Sequence, residues 1–277
     1  MIFDKFQLIE SLIDIALDED LKDGDPSSEI ILKNIKSEYN LILKEDAVIS
    51  GVEVFKYIFK KIDRNMSFSN FIEDSFQEKG LIGKIIGDEV SILSAERTAL
   101  NFIQRMSSVA TSTFNLKNLM NNPNVELIDT RKTIPGWRVL DKYSVLVGGG
   151  KNHRMNLGGQ IMIKDNHYDE NNIKNIIKNG KKKFPNLKIE IEVDNLSQLK
   201  SIINEDIDIV MLDNWPIDSV EETIGFVRKN NPKLLIEISG GINQQNISSY
   251  AQFSPDFISS GSITHSPKSI DLSLEKA

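Results

Sequence analysis

The sequence has no cysteine, only three histidines and two tryptophans among its 277 residues. The lack of cysteine excludes disulfides, thiolate metal sites and cysteine nucleophiles. No apolar run approaches the ~18 residues that a membrane-spanning helix needs. The first residues include Asp4 and Glu10 and show no cleavable signal pattern. We therefore expect a cytoplasmic protein with no membrane-spanning segment.

An excess of positive charge is also lacking, since 33 lysines and arginines face 40 acids and the formal net charge is −7. Proteins that bind the phosphate backbone of nucleic acids usually present a basic face, so this balance argues against a nucleic-acid partner. The basic run at 174–184 is interpreted as the solvated face of a helix. With 40% apolar and 26% charged residues, the composition is ordinary for a globular protein, and the length suits one large domain or two smaller ones.

The first part of the chain predicts a mixed α+β domain. Apolar residues recur at helical spacing over 3–18, and 52–63 has the pattern of an amphipathic helix. Strand-like runs follow, separated by Gly80, Gly83 and Gly87. These features are typical of a small sheet covered by one or two helices.

The next part, 94–120, predicts a long helix, or two helices with a break near Ser107 and Ser108. From about residue 124 onward, strand-like and helix-like segments alternate, which predicts parallel βα units. Six short apolar segments there each end in charged or glycine-rich residues, as the strands of a (β/α) barrel do where they form an active site. The segments are 125–129, 160–163, 188–193, 207–212, 234–238 and 256–259.

Several cations follow the first two of these segments. Arg131 and Lys132 adjoin a strand end, and the glycines at 148–150 let backbone amides approach an anion next to His153 and Arg154. Arginine can bind a carboxylate or a phosphate through two parallel hydrogen bonds. Lys164, at the next strand end, could be a structural charge, an electrostatic clamp or a Schiff-base nucleophile.

Acids and glycine turns follow the later segments. Glu192 and Asp213 are expected to point inward from neighbouring strands, where they could bind Mg²⁺ through water or hold sugar hydroxyls. The last two strand ends carry serine and glycine, which in barrels often form a phosphate site from backbone amides. His265 follows and could donate to the same phosphate. The residues of these two turns are Ser239, Gly240, Gly241, Ser260, Gly261 and Ser262.

Eight ordered blocks together resemble the quinolinate phosphoribosyltransferase family, and the resemblance covers nearly the whole chain. The blocks are AERTALNFIQR, DTRKTIPGWRVLDKYSV, GGGKNHR, IKDNH, IEVDN, VMLDN, EISGGI and FISSGSITHSPKSIDLSL. The resemblance implies an α/β fold, with an N-terminal α/β sandwich at 1–107 and an incomplete (β/α) barrel at 108–277. It also implies a homodimer with shared active sites, in which Arg97 of one subunit reaches the active site of the other.

The implied activity is the transfer of a phosphoribosyl group from 5-phosphoribosyl 1-pyrophosphate to quinolinate, with Mg²⁺ and with loss of CO₂. The product is nicotinate mononucleotide, a precursor of NAD. The resemblance assigns the chemistry to Lys132, Lys164, Glu192 and Asp213, the last two as metal-linked acids acting through water. The cationic pocket would be Arg131, Lys132, His153, Arg154 and Lys164, and the phosphate end Ser239, Gly240, Gly241, Gly261 and His265.

The chain departs from the family pattern at two places. Leu157-Gly158-Gly159 stands where the family usually has Leu-Tyr-Asp, which could alter the shape of the pocket near Lys164, and Ser107-Ser108 stands where it usually has Ser-Gly. Three other functions stay open from the residues. They are a related phosphoribosyltransferase with another ring substrate, a Schiff-base aldolase that uses Lys164, and a barrel that binds phosphate without catalysis.

Overall fold

The computed structural model describes residues 6–31, 35–72, 74–164, 167 and 172–277. In chain order the helices are α1 (Phe6–Leu21), α2 (Pro26–Ile31), α3 (Val52–Ile62), α4 (Glu89–Met120), α5 (Arg138–Val147), α6 (Ile173–Lys183), α7 (Leu196–Ile202), α8 (Ile217–Asn230), α9 (Ile247–Ala251) and α10 (Ser262–His265). The strands are β1 (Lys36–Leu43), β2 (Ala47–Val48), β3 (Ser67–Ser69), β4 (Phe76–Gln77), β5 (Gly80–Asp88), β6 (Glu126–Ile128), β7 (Ile161–Ile163), β8 (Ile189–Val193), β9 (Ile209–Asp213), β10 (Leu235–Ser239), β11 (Phe257–Ser259) and β12 (Leu272–Lys276).

The chain divides into two compact units that interleave along the sequence. Unit 1 comprises Met1–Phe114, Ile134–Gly149 and Pro267–Ala277, and unit 2 comprises Asn115–Thr133 and Gly150–Ser266. The boundary expected after residue 107 falls inside α4, and unit 1 includes α5 and β12. Two later stretches of the chain thus return to unit 1, so a single boundary in the sequence cannot separate the two units.

The predicted long helix is confirmed, and the alternative of a break near Ser107 and Ser108 is wrong, because α4 is continuous through both residues. The Ser108 hydroxyl donates to the carbonyl of Gln104, one turn earlier, at 2.6 Å. The Ser107 hydroxyl instead accepts from the backbone N–H of Ser50 at 3.1 Å. Both side chains therefore find partners without opening the hydrogen-bond ladder of the helix.

Unit 1 contains an antiparallel sheet in the order β12-β1-β5-β3 and a small β2-β4 pair. Helix α3 buries Val52, Phe55, Ile58 and Phe59, whose spacing forms one apolar stripe. The rings of Phe55 and Phe59 lie 4.9 Å apart. Burial of each such phenylalanine contributes about 2–3 kcal/mol to the core.

Unit 2 contains six parallel strands in the order β6-β11-β10-β9-β8-β7. Because β6 and β7 stand at opposite ends of this order, the described strands do not close into a complete barrel. The predicted incomplete barrel with fewer than eight strands is therefore confirmed. The carboxyl ends of parallel strands meet at one edge of the sheet, so the residues that follow them are brought together.

The two faces of strand β8 differ in chemistry. On β8, Ile189 and Ile191 alternate with Glu190 and Glu192, and successive side chains of a strand point to opposite faces. A Cβ atom added at Gly180 of α6 would lie 3.4 Å from the side chains of Ile161 and Ile189. The isoleucine face therefore packs beneath a helix, and the glutamates point into the barrel interior.

None of the helices in the described part of the chain combines the length and apolar character of a membrane span.

Candidate active site

A pocket of about 240 Å³ lies at the carboxyl ends of the parallel strands in unit 2. Each of the six strands, or the loop that follows it, contributes to its wall. The lining residues are Thr130, Arg131, Lys132, His153, Arg154, Met162, Lys164, Glu192, Met211, Asp213, Glu237, Ser239 and Ser259. The structure thus brings together the predicted cations, the two predicted acids and Ser239.

The cations occupy one side of this pocket. An isolated parallel bridge joins Ile128 of β6 to Lys151, so the chain from Lys151 to Arg154 runs beside the edge of β6 that is not paired with β11. Arg131 and Arg154 are thereby close enough to interact. Burial lowers the pKa of the Arg154 guanidinium, and the charge of Arg131 lowers it further. Arginine nevertheless stays charged in proteins, so this side of the pocket holds concentrated positive charge.

Lys164 follows β7, and its ammonium contacts the Oε2 atom of Glu192 at 2.7 Å. Glu192 is buried, whereas the Lys164 side chain is 42% exposed. A Schiff-base amine must have its nitrogen lone pair available to attack a carbonyl carbon, whereas the nitrogen of Lys164 is engaged in an ion pair with Glu192. The contact therefore favours an electrostatic role for Lys164 over an aldolase mechanism.

Two members of the predicted phosphate end lie beside Lys132. A Cβ atom at Gly261 would stand 3.0 Å from Cδ of Lys132 and 3.1 Å from Cδ2 of His265. The hydroxyl of Thr264 also donates to the backbone carbonyl of Lys132 at 2.8 Å. Any larger residue at 261 would force one of these two side chains to move. Glycine thus lets a cation and an imidazole meet at the start of α10.

The other predicted glycine turn follows β10. Gly240 has φ +95°, and an added Cβ atom would lie 2.3 Å from Oδ1 of Asn214. Both the backbone angle and the close approach therefore require glycine here. The N–H of Asn214 donates to the carbonyl of Ser239 at 3.0 Å, and Nδ2 of Asn214 donates to Asp213 at 2.6 Å. Gly241, at φ +60°, completes the turn.

Two buried acids beneath the pocket were missed from the sequence. Glu190 and Glu237 have no solvent exposure. Oε2 of Glu190 lies 3.1 Å from Nε2 of His153, and Oε2 of Glu237 lies 3.7 Å from the same atom. Burial raises the pKa of Glu237 well above its usual value, and the neighbouring Glu190 and then Asp213 add to the effect. The sequence offers one signal for them, since an acidic residue inside an otherwise apolar strand segment is unusual and indicates a specific role.

These groups also have a geometry that could hold a cation. The ligand atoms of His153, Glu190 and Glu237 all lie within 4.8 Å of one another. Among the residues that the structure describes, neither carboxylate oxygen of Glu237 has a hydrogen-bond partner, and the same holds for Oε1 of Glu190. A proton on Glu237 would relieve the same accumulation of charge, because two buried carboxylates this close do not both ionise readily.

Arg97 is not among the residues that line the pocket. It lies on α4 in unit 1 and is exposed, beside a groove that also contains Leu12, Asp20 and Trp137. His167 follows Lys164, and its Nδ1 atom accepts from the Lys164 backbone N–H at 3.2 Å. That contact gives His167 a structural role in the turn. The predicted Asp165 and Asn166 lie outside the described residues.

An open parallel α/β barrel with an anion-binding pocket at its strand ends defines a class of enzyme that acts on phosphorylated substrates. Residues 25–107 match the N-terminal domain of quinolinate phosphoribosyl transferase, and residues 109–275 match its C-terminal domain. Among curated proteins, a probable nicotinate-nucleotide pyrophosphorylase (carboxylating) of Methanocaldococcus jannaschii is 37% identical over 94% of each chain. The corresponding protein of Bacillus subtilis is 34% identical over 93% of this chain and 89% of its own.

Solved structures agree. The nicotinate-nucleotide pyrophosphorylase of Francisella tularensis superposes with a TM-score of 0.93 at 35% identity, covering 98% of this chain and 96% of its own. That of Ehrlichia chaffeensis superposes with a TM-score of 0.90 at 33% identity, covering 97% and 98%. The chain belongs to the quinolinate phosphoribosyltransferase family.

Proposed function

We propose that the chain transfers the phosphoribosyl group of 5-phosphoribosyl 1-pyrophosphate to the ring nitrogen of quinolinate and releases pyrophosphate and CO₂. The observation that carries this proposal is the division of one pocket into a cationic side and an acidic side. Arg131, Arg154 and Lys164 lie around it with Glu192 and Asp213. Membership of the family supports the same reaction.

The cationic side suits the two ring carboxylates of quinolinate. It is formed by β6, the segment from Lys151 to Arg154, and Lys164 after β7. Arg131 and Arg154 repel each other, so a bound dianion relieves this repulsion as it forms charge-assisted hydrogen bonds. A ring with a single carboxylate would leave one of these donors unsatisfied, which is costly in a desolvated pocket.

The acidic side suits the sugar. Glu192 and Asp213 stand at the ends of β8 and β9, and the serine and glycine turns stand at the ends of the next strands, β10 and β11. Carboxylates would repel quinolinate but can accept from ribose hydroxyls. The 5-phosphate would then lie by Gly240 and Gly261, where backbone amides can approach an anion.

In the reaction, the pyridine nitrogen attacks C1 of the ribose as pyrophosphate departs. The pocket contributes position and charge, because the sugar becomes electron-deficient and the leaving group carries negative charge. Lys132 lies on the loop after β6 with its side chain beside Gly261, and it would stabilise the departing pyrophosphate. The ring nitrogen, now positively charged, accepts the electrons of the bond to the 2-carboxylate. That carboxylate leaves as CO₂, and a proton replaces it on the ring.

The carboxylate oxygens of Glu192 and Asp213 match the ligand preference of Mg²⁺, which keeps several waters and takes one or two carboxylates plus phosphates from the substrate. Both acids already have protein partners, Lys164 and Asn214. Contact through water therefore fits them better than direct ligation. When bound with the sugar substrate, Mg²⁺ would neutralise charge on the pyrophosphate.

A homodimer with shared active sites is part of the proposal. Arg97 is exposed on α4, and its neighbours in unit 1 include exposed apolar side chains such as Ile15, 66% exposed. A cation beside such a surface suits a role at an interface with a second copy. In the dimer, Arg97 would complete the cationic side of the partner subunit's pocket. The expected cytoplasmic location stays a prediction.

The direct test is to incubate the purified protein with quinolinate, 5-phosphoribosyl 1-pyrophosphate and Mg²⁺ and to follow CO₂ release and nicotinate mononucleotide. We expect stoichiometric formation of both products, and little turnover when nicotinate or nicotinamide replaces quinolinate. Equal turnover of nicotinate would point to a related enzyme with another ring substrate. Absence of product from a folded protein would refute the assignment.

A further inference from the structure

Four residues form a closed chain of hydrogen bonds beneath the cationic side of the pocket. The side chain of Gln160 donates to Oε2 of Glu190 at 2.6 Å. The same oxygen lies 3.1 Å from Nε2 of His153. Nδ1 of His153 accepts from the backbone N–H of Arg154 at 2.6 Å. The Arg154 guanidinium then donates to the backbone carbonyl of Gln160 at 3.1 Å.

This arrangement determines how the His153 ring is used. Since Nδ1 accepts a hydrogen bond, the ring proton belongs on Nε2, from which it is donated to Glu190. Glu190 therefore receives two donors on one oxygen, from His153 and Gln160. The ring of His153 is held through both of its nitrogens. The backbone N–H of His153 is also fixed, because it donates to the buried Asp129 at 2.8 Å.

Gln160 links the two side chains that face the substrate. Its backbone carbonyl holds the Arg154 guanidinium, and its side chain holds the acid that orients His153. It follows directly after the short 3₁₀ turn Leu157–Gly159, the segment in which this chain departs from the usual family pattern. The departure therefore occurs next to a residue on which two pocket groups depend.

We propose that Gln160 and Glu190 are positioning residues that hold His153 and Arg154 at the spacing required by the two carboxylates of quinolinate. The expected effect on quinolinate rests on the proposed function, whereas the hydrogen bonds themselves do not depend on it. Neither residue lines the pocket. They act through His153 and Arg154, so they should affect quinolinate and leave the sugar substrate alone.

The test replaces Gln160 with leucine, which is close in size but cannot donate. We expect the KM for quinolinate to rise about 10-fold, as for a lost partner of a buried carboxylate, while the KM for 5-phosphoribosyl 1-pyrophosphate stays within about 2-fold. Glu190→Gln should raise the quinolinate KM by at least as much. Gln252→Leu is the matched control, since Gln252 is an exposed glutamine of the same unit, between α9 and β11, whose side chain donates to the nearby Ser249 carbonyl.

A second measurement does not depend on activity. The chain has three histidines, so ¹⁵N-histidine NMR spectra can be assigned by substitution of His167 and His265. We expect His153 with its proton on Nε2 and an unprotonated Nδ1 in the wild type and in Gln252→Leu. In Glu190→Gln that signal should shift or broaden, because the glutamine amide can either accept a hydrogen bond from His153 or donate one to it.

Three outcomes would overturn the proposal. One is an unchanged quinolinate KM in a folded, active Gln160→Leu enzyme. Another is an equal rise in the KM of both substrates, which would indicate a general structural role. The third is stoichiometric binding of Zn²⁺ or Mn²⁺ that Glu190→Gln abolishes, which would assign His153 and its acids to a cation. If the wild type shows no activity at all, the proposed function fails, and the spectra still decide whether the hydrogen bonds exist.

Discussion

Each compact unit removes a carboxyl group from solvent, and the two groups have opposite surroundings. Asp141 of unit 1 is 1% exposed and receives Nε and Nη2 of Arg105 at 3.1–3.2 Å. Glu237 of unit 2 is fully buried and lies near a second acid, Glu190, and neither of its oxygens has a hydrogen-bond partner within the described part of the chain. Burial raises the pKa of both carboxyls, but Arg105 opposes the rise at Asp141 whereas Glu190 increases it at Glu237.

The difference separates an acid that serves the fold from one retained for the site. A bidentate guanidinium compensates Asp141 for its loss of water, so the pair stabilises the packing of α5 against α4. At Glu237 the neighbouring Ser259 hydroxyl opposes the rise in pKa, but burial and the charge of Glu190 outweigh it. Natural sequences retain such uncompensated groups mainly at functional sites, and Glu237 lines the pocket. Breaking the Arg105–Asp141 pair of unit 1 should therefore affect folding, whereas replacing a charged residue of the pocket in unit 2 should affect activity.

The largest loss of rate is expected when Arg97, an exposed cation of unit 1, is replaced. Arg97 and Arg105 stand on the same helix, but Arg97 is exposed. If it serves the partner's pocket, Arg97→Ala and Lys164→Ala homodimers should each lose about 10³-fold in rate, as for loss of a group that stabilises transition-state charge. Mixing the two should restore about a quarter of the wild-type rate, because half of randomly paired dimers are mixed and each has one intact site.

The measurement is the rate of CO₂ release after the two variants are mixed under conditions that exchange subunits. Native mass spectrometry of the mixture controls for exchange. Mixed dimers that form but stay inactive would show that the active sites are not shared, and a fully active Arg97→Ala protein would remove Arg97 from the site.

Next in size is the effect of breaking the pair in unit 1. Arg105→Ala should lower the free energy of unfolding by about 3–5 kcal/mol, because it leaves Asp141 buried without a partner. The matched change in unit 2 is Arg131→Ala, at an exposed arginine of the pocket. It should alter stability by less than about 1 kcal/mol and lower quinolinate turnover strongly. Urea titration and the CO₂ assay on both variants decide, and similar stability losses would erase the contrast between the units.

The sequence predicted the residues that line the pocket better than the residues beneath the pocket that hold them in place. Apolar runs of four to six residues ending in charge or glycine marked the six strands, because burial on parallel strands and chemistry at their carboxyl ends are both local features. Gln160, Glu190 and Glu237 were missed because their importance depends on which face of a strand points inward. The pairing of β12 with β1, for example Leu274 opposite Leu41, joins distant parts of the chain and has no local signal.

The acids at the rim of the pocket extend the comparison. Asp213 is only partly buried and accepts from Asn214, so Asp213→Asn removes charge with little change in shape. We expect the concentrations of 5-phosphoribosyl 1-pyrophosphate and of Mg²⁺ that give half the maximal rate to rise about 10-fold, because one charge-assisted contact is lost. Quinolinate affinity, measured by calorimetry, should stay within about 3-fold. Abolished quinolinate binding in a folded dimer would contradict the division into cationic and acidic sides.

The smallest effect concerns the pH dependence of stability at Glu237. A carboxyl whose pKa is raised in the folded state contributes stability that is fully present below its unfolded pKa, near 4.5, and is lost as the pH rises through the folded value. Glu237→Gln cannot ionise, so it should lack this loss. Relative to wild type, the variant should therefore gain stability as the pH rises above the unfolded pKa of the carboxyl, near 4.5.

A control of opposite sign is available in unit 1. Glu275 is exposed, and its hydrogen bond from Lys44 lowers its pKa, so it contributes stability above its unfolded value that is lost as the pH falls. Glu275→Gln should be less stable than wild type at neutral pH, and this difference should vanish as the pH falls. Glu237→Gln should instead gain stability relative to wild type as the pH rises. Urea titrations across pH 4–9 measure both. If Glu237→Gln instead became less stable than wild type as the pH rose, the carboxylate of Glu237 would be a stabilising charge, and the contrast with Asp141 would be wrong.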